Sequence, residues 1–184
     1  MQSFTSSTKR DKFNKEINRQ AAVYIHETLC PQLDALLQKS NTGLSAMVDS
    51  QDPYVVNIQY PAAFSEAYIR PEVRLEIGPL ASWAPSASHI VRPYLFDVLP
   101  AVLANPDCTV VAIAAERTFW EKATILHQEA HRQTLIPQRY SRHYYDLYKL
   151  AISAGKESAL AQPKLLADVV EFKQRVLSVQ LGSV

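Results

Sequence analysis

Arg117-Thr-Phe-Trp-Glu-Lys122 and, twenty residues on, Arg142-His-Tyr-Tyr-Asp146-Leu-Tyr148 are the stretches on which the reading of this chain turns. Around the first, Phe119, Ala123, Leu126 and Ala130 recur at steps of three and four, which predicts an amphipathic helix from Ala115 to His131. Around the second, Tyr140 to about Ala154 reads as another helix, ended near Gly155. Upstream, Glu72 to Gly78 alternates. Val73, Leu75 and Ile77 point one way, and Arg74 and Glu76 the other, the pattern of a half-buried strand.

Working outward, Thr8 to about Gln38 reads as a helix that Pro31 kinks or splits, with Ser40-Asn-Thr-Gly43 as its stop signal. Leu44 to Val48 is a weakly patterned strand. Tyr54 to Tyr60 is a β-type run between Pro53 and Pro61. Pro79 to Pro93 reads as a proline-rich connection, Leu95 to Ala104 as a short helix, and Cys108 to Ile113 as a compact apolar strand. Gln133 to Gln138 reads as a loop and Lys164 to Leu177 as a last helix. Strands first and helices last argue an α+β fold: a small mixed or antiparallel sheet, flanking helices and a helical C-terminal half. The expected division is residues 1–114 for the α/β region and 115–184 for the helical region.

The chain has 184 residues, 47% hydrophobic and 20% charged, enough for one packed domain with or without an appendage. A formal charge of +1 gives no global attraction to nucleic acid or membranes, so any basic surface is local. Met1 to Asn18 is too polar for a secretory signal, and no apolar run approaches the roughly 20 residues that span a bilayer. A soluble, cytoplasmic protein is expected, with Cys30 and Cys108 as buried free thiols. The four glycines form neither GxGxxG nor GxxxxGK[ST], which excludes glycine-loop nucleotide sites.

A carboxylate on a strand, with a lysine and a second carboxylate on two helices, suits Mg²⁺-dependent phosphoryl chemistry. Taken singly, Glu76, Lys122 and Asp146 are ordinary exposed residues; their value is joint. From Arg132 through Arg139 and Arg142 the chain carries no acid and interleaves Tyr140, Tyr144 and Tyr145. Either a nucleotide or RNA backbone lies there, or it is a solvated basic loop beside a tyrosine-filled core helix. His127 and His131 share a helix face, but Gln128 stands where a zincin has its glutamate.

Val73-Arg-Leu-Glu76-Ile-Gly78-Pro79, Glu116 through His127 and Arg139 through Tyr148 together resemble the AbiEii/AbiGii family of nucleotidyltransferase toxins, over about Lys9 to Arg175. The resemblance implies a partial polymerase-β-like fold and transfer of a nucleotide from an NTP to an acceptor, with tRNA as acceptor class and Mg²⁺ as metal. It implies a separately encoded antitoxin and a place in abortive phage infection. It assigns Glu76, Lys122 and Asp146 as catalytic, Glu76 as metal ligand, and Arg74, Lys122, Arg139 and Arg142 as nucleotide or phosphate contacts. The family's early glycine helix start and Asp/Glu-x-Asp pair have no counterpart here, and Val176 to Val184 looks unlike the family. The expectation is therefore an incomplete chain that is inactive alone. The alternative is a non-catalytic module that binds an antitoxin, RNA or its own copies through an unpaired sheet edge.

Overall fold

The computed structural model describes residues 7–64, 69–132, 135 and 140–176. By contacts the chain divides into two compact units, Met1–Ala81 and Ser82–Val184, so the division falls inside the stretch that the sequence reading kept as one α/β region.

In the first unit, α1 (Ser7–Tyr24) and α2 (Cys30–Lys39) are joined by a π-helical turn, Ile25–Leu29, in which the Cys30 N–H reaches back to the Ile25 carbonyl. Pro31 explains the wide turn. It has no N–H to donate, and its ring crowds the carbonyl four residues back, so a widened turn keeps the chain helical through the proline. Asn41 and Gly43 adopt positive φ after α2, as the stop signal predicts. Three strands follow, β1 (Ser45–Val48), β2 (Val55–Gln59) and β3 (Glu72–Glu76), in the antiparallel order β1-β2-β3. Val56 faces Leu75, and around them Ile25, Cys30, Leu33, Ala46 and Ile77 form the core. Asp34 at the inner side of α2 accepts from the Ala46 N–H at 2.8 Å and ties helix to sheet.

The second unit begins with a hairpin, β4 (Ser86–Val91) against β5 (Cys108–Ile113), antiparallel from Ser86 opposite Ile113 to Val91 opposite Cys108. Arg92 and Asp107 clamp its loop end through two bonds of 2.6 and 2.8 Å. Between the strands lie α3 (Leu95–Val98) and a 3₁₀ turn, Pro100–Val102; Pro100 breaks the single short helix expected there. The strands are antiparallel as expected and divide into two sheets. β4 falls in the stretch read as a proline-rich connection. Its sequence, Ser-Ala-Ser-His-Ile-Val, has almost no alternation, and pairing with β5 is what makes it a strand. The apolar run of β5 reads as buried, yet Cys108–Val111 is exposed, and Cys108 is an exposed thiol where a buried one was expected. A two-stranded sheet has too little partner surface to enclose both faces of its strands.

Four helices complete this unit: α4 (Ala115–Ala130), α5 (Ser141–Ala151), α6 (Gly155–Leu160) and α7 (Pro163–Val176). α4 packs against α5, α6 and α7. It is not the one-faced helix that its periodicity suggests: along its length only Ala115, His127 and Ala130 are exposed. Gly155 opens α6 instead of merely closing α5. The Ser153 hydroxyl donates to the Leu150 carbonyl and accepts from the Gly155 N–H, turning the chain between the two helices. Among the described residues of this unit, Leu126, Ala159, Leu165 and Val169 are the buried apolar ones. No helix among the described residues is long and apolar enough to cross a membrane.

Candidate functional site

Lys122 lies midway along α4 and Asp146 midway along α5, and the packing of the two helices brings them together. Lys122 Nζ donates to Asp146 Oδ2 at 2.8 Å and lies 3.3 Å from His143 Nδ1. The spacing follows from the helix. His143 and Asp146 are three residues apart and so share the face of α5 turned to α4. A lysine ammonium only donates, so at this contact His143 Nδ1 is the unprotonated acceptor and the proton sits on Nε2. Burial, then the charges of Lys122 and Arg142, lower the His143 pKa and keep its ring neutral. The hydrogen bond from Lys122 holds the Asp146 carboxyl below its ordinary value, with the lysine's charge and that of Arg142 adding to it.

Behind Lys122 the turn Trp120–Thr124 is held from other elements. The Trp120 indole donates to the Ala159 carbonyl of α6 at 3.2 Å. Arg117, 3% exposed, donates to Glu121 Oε1 at 2.8 Å and to the Ala84 carbonyl at 2.6 Å, and its guanidinium lies over the Phe172 ring of α7. Lys173 of α7 reaches the Glu121 carbonyl and the Thr124 hydroxyl. The sequence reading gave no site role to His143, Arg117 or Lys173, although His143 stands in its acid-free basic stretch and Arg117 opens the stretch on which it turned. Lys173 did leave a signal: Leu165, Val169 and Lys173 follow one another at steps of four, placing a lysine on the apolar stripe of α7.

The other expected site residues are described each within its own unit. Glu76 ends β3 in the first unit as an exposed carboxylate opposite Val55. Arg74, on the same face of that strand, donates to Asp49 Oδ2 at 3.2 Å, and Asp49 also accepts from Asn57 at 2.8 Å. Arg142 is exposed on α5. Arg139 lies outside the described residues. The tyrosines of α5 are not a core: Tyr144, Tyr145 and Tyr148 are each more than half exposed. Glu129 is buried and paired with Arg132, and the rings of His127 and His131 meet edge to face at 4.7 Å.

The described residues contain no group of three or more histidine, cysteine, aspartate or glutamate side chains placed to hold a metal ion. Glu76 alone offers one carboxylate, and a magnesium site asks for near-octahedral oxygen coordination. The fit to a resident metal is therefore poor. What the geometry provides is a cation and a carboxylate in contact, backed by a neutral imidazole and by further cations.

No curated protein and no solved structure matches this chain. A family model does: nucleotidyl transferase AbiEii toxin, type IV toxin–antitoxin system, over residues 4–183. That range extends past the Lys9–Arg175 span of the resemblance at both ends and takes in the tail expected to differ. With the match covering nearly the whole sequence and the Lys122–Asp146 pair assembled between α4 and α5, the chain belongs to the AbiEii nucleotidyl transferase toxins of type IV toxin–antitoxin systems.

Proposed function

We propose that Lys122 and Asp146 are the nucleotide-handling and acceptor-handling groups of an NTP-dependent nucleotidyl transfer. The observation that carries this is their 2.8 Å contact. Each neutralises the other while the site is empty of substrate. An arriving phosphate competes for the lysine, and the two charge-assisted bonds are similar in kind. Once Lys122 turns to the phosphate, Asp146 loses its hydrogen-bond donor, its basicity rises, and it becomes the group that accepts a hydrogen bond from the attacking hydroxyl. The acceptor oxygen bonds to the α-phosphorus, diphosphate leaves, and the hydroxyl proton passes to the carboxylate side of the site. His143, neutral beside Lys122, holds the amine in place during the exchange.

The family generally uses a divalent metal, and we expect Mg²⁺ to arrive with the NTP. The sequence has no glycine-led helix start followed by an Asp-x-Asp pair. We accordingly expect the 184-residue chain alone to be inactive or nearly so, orders of magnitude below a full site. The acceptor we favour is tRNA. Exposed Tyr144, Tyr145 and Tyr148 on α5 offer faces on which unpaired bases stack, and Arg142 and Lys149 offer charge for a phosphate backbone. Glu76, Arg74 and Arg139 remain secondary candidates for metal and phosphate contact. Membership in the family implies an antitoxin partner, and we place the activity in the cytoplasm as part of phage defence.

One observation favours a second reading, a binding module. Among the described residues β4 and β5 each pair on one side only, and Ile90, Val91, Val110 and Val111 are exposed on them. Such edges favour association with an antitoxin or a second copy.

Equilibrium binding of the four Mg·NTPs to wild type, Lys122→Met and Asp146→Asn separates the readings. We expect Lys122→Met to weaken binding about tenfold or more, the loss of one charge-assisted bond. Asp146→Asn should bind as well as wild type or better, because the lysine loses its competitor. Equal affinity in wild type and Lys122→Met overturns the nucleotide reading and leaves the binding module. Label transfer to bulk tRNA by the chain alone at ordinary enzyme turnover would refute the expected silence.

A further inference from the structure

Lys173 is 6% exposed, yet no carboxylate oxygen is among its hydrogen-bond partners. Its amine donates to the Glu121 carbonyl at 3.0 Å and to Thr124 Oγ1 at 2.7 Å. The Thr124 hydroxyl in turn lies 2.7 Å from the Trp120 carbonyl and 3.0 Å from that of Glu121. Because Thr124 accepts from the ammonium, its own proton is free to go to the nearer carbonyl, that of Trp120. One side chain of α7 therefore gathers both ends of a single turn of α4. Lys122 lies inside that turn. The carboxylate of Glu121 is occupied by Arg117, so it does not serve as Lys173's hydrogen-bonding counter-ion.

Stability alone does not account for a lysine here. Leu165 and Val169 occupy the preceding positions of the same stripe, and an apolar side chain of similar length at position 173 would avoid the cost of burying a charge. Burial above all, opposed by the charge of Glu121 and aided by those of Arg117 and Lys122, lowers the Lys173 pKa from 10.5 to about 8. The fold retains a costly group where it grips the backbone next to Lys122.

We infer that Lys173 is a positioning residue for Lys122: by bonding the Glu121 carbonyl and the Thr124 hydroxyl it fixes the turn of α4 that aims the Lys122 amine at Asp146 and His143. This rests on the reading of Lys122 as the phosphate-binding group, and it extends that reading to a residue outside the Lys122 and Asp146 motifs. Lys173 touches no substrate in this role. It determines where the binding amine stands before a phosphate arrives, and preorganisation of that kind is worth most in a polar group that must meet a ligand within a fraction of an ångström.

The test uses the whole chain with Lys173→Met, Lys122→Met and the double variant, and inorganic tripolyphosphate as the probe. A cooperative melt first establishes folding. Where Lys173→Met does not melt cooperatively, Thr124→Val, which removes the hydroxyl that Lys173 holds, is read in its place. Nitrogen NMR of His143 then reports the Lys122 contact directly. We expect wild type to show Nδ1 as the unprotonated acceptor and Lys173→Met to show a mixture of tautomers. Tripolyphosphate affinity should fall at least fivefold in Lys173→Met, and adding Lys173→Met to Lys122→Met should cause no further fall. An unchanged Nδ1 signature in folded Lys173→Met, or losses that simply multiply in the double variant, overturns the positioning role. If Lys122→Met itself leaves the affinity intact, the phosphate reading has failed, and the His143 signature still decides the positioning of Lys122.

Discussion

Raising the pH should stabilise this protein through one buried amine, and the effect can be worked out. In the unfolded chain Lys173 titrates near 10.5; in the fold its pKa is lowered to about 8. Below pH 8 both states hold the proton, and the fold bears the full cost of a buried charge. Between the two values the folded state has released the proton while the unfolded state keeps it. The unfolded state then binds more protons, so stability rises with pH across that window. The whole shift corresponds to about 3 kcal/mol at most, and the rise between about pH 7.5 and about pH 9.5 to about 2 kcal/mol. Other groups facing the amine are Glu121, Arg117 and Lys122, and other lysines titrate at the top of the range. The comparison is therefore with Lys173→Met, which carries all of them except the amine in question. Urea unfolding of the two proteins should show the wild-type midpoint gaining about 1 M on the variant between those pH values. If the gap between them is flat across pH, Lys173 is not a buried cation, and the account of its retention fails.

Three further outcomes follow from other contacts. Arg117→Met should cost about 2–4 kcal/mol in chemical denaturation, because it strips the Ala84 carbonyl and Glu121 of their donor inside the second unit. Lys122→Met should cost less than about 1 kcal/mol in the same assay, since its ion pair is partly solvated, and it should raise the His143 pKa, followed by proton NMR. A large stability loss there would mean that the pair is structural. Gly43→Ala should cost about 1–3 kcal/mol by thermal melting, because φ is +73° and the new Cβ meets Pro61 Cγ at 3.0 Å.

Periodicity placed Lys122 and Asp146 on two successive helices, and the family resemblance singled them out; that their side chains meet depends on how α5 packs on α4. Glu76 was placed correctly on a strand by alternation, but alternation does not say what a strand end faces. β4 was invisible because Ser86–Val91 has no pattern of its own; its partner, seventeen or more residues away, makes it a strand. The apolar run of β5 was read as buried, and Cys108 with it, since hydrophobicity alone does not tell an enclosed strand from one in a two-stranded hairpin. For Lys173 the stripe position was readable. That its amine would reach a backbone carbonyl beside Lys122 depends on the crossing of α7 over α4, which no local pattern encodes.

α4 meets α5 with Lys122, α6 with Trp120, and α7 with Arg117 and Thr124, and only three of its residues are exposed, the rest buried or half-buried. An ordinary surface helix forgives substitutions along one side, so a saturation scan across it gives a tolerance trace that rises and falls every three to four positions. Across Glu116 to Leu126 this chain should give a trace without that ripple, an unbroken intolerant block. Drift in this segment is then confined to coordinated exchanges with α5, α6 or α7, and single changes that alter nucleotide handling should be found on the neighbouring helices before they are found on α4 itself.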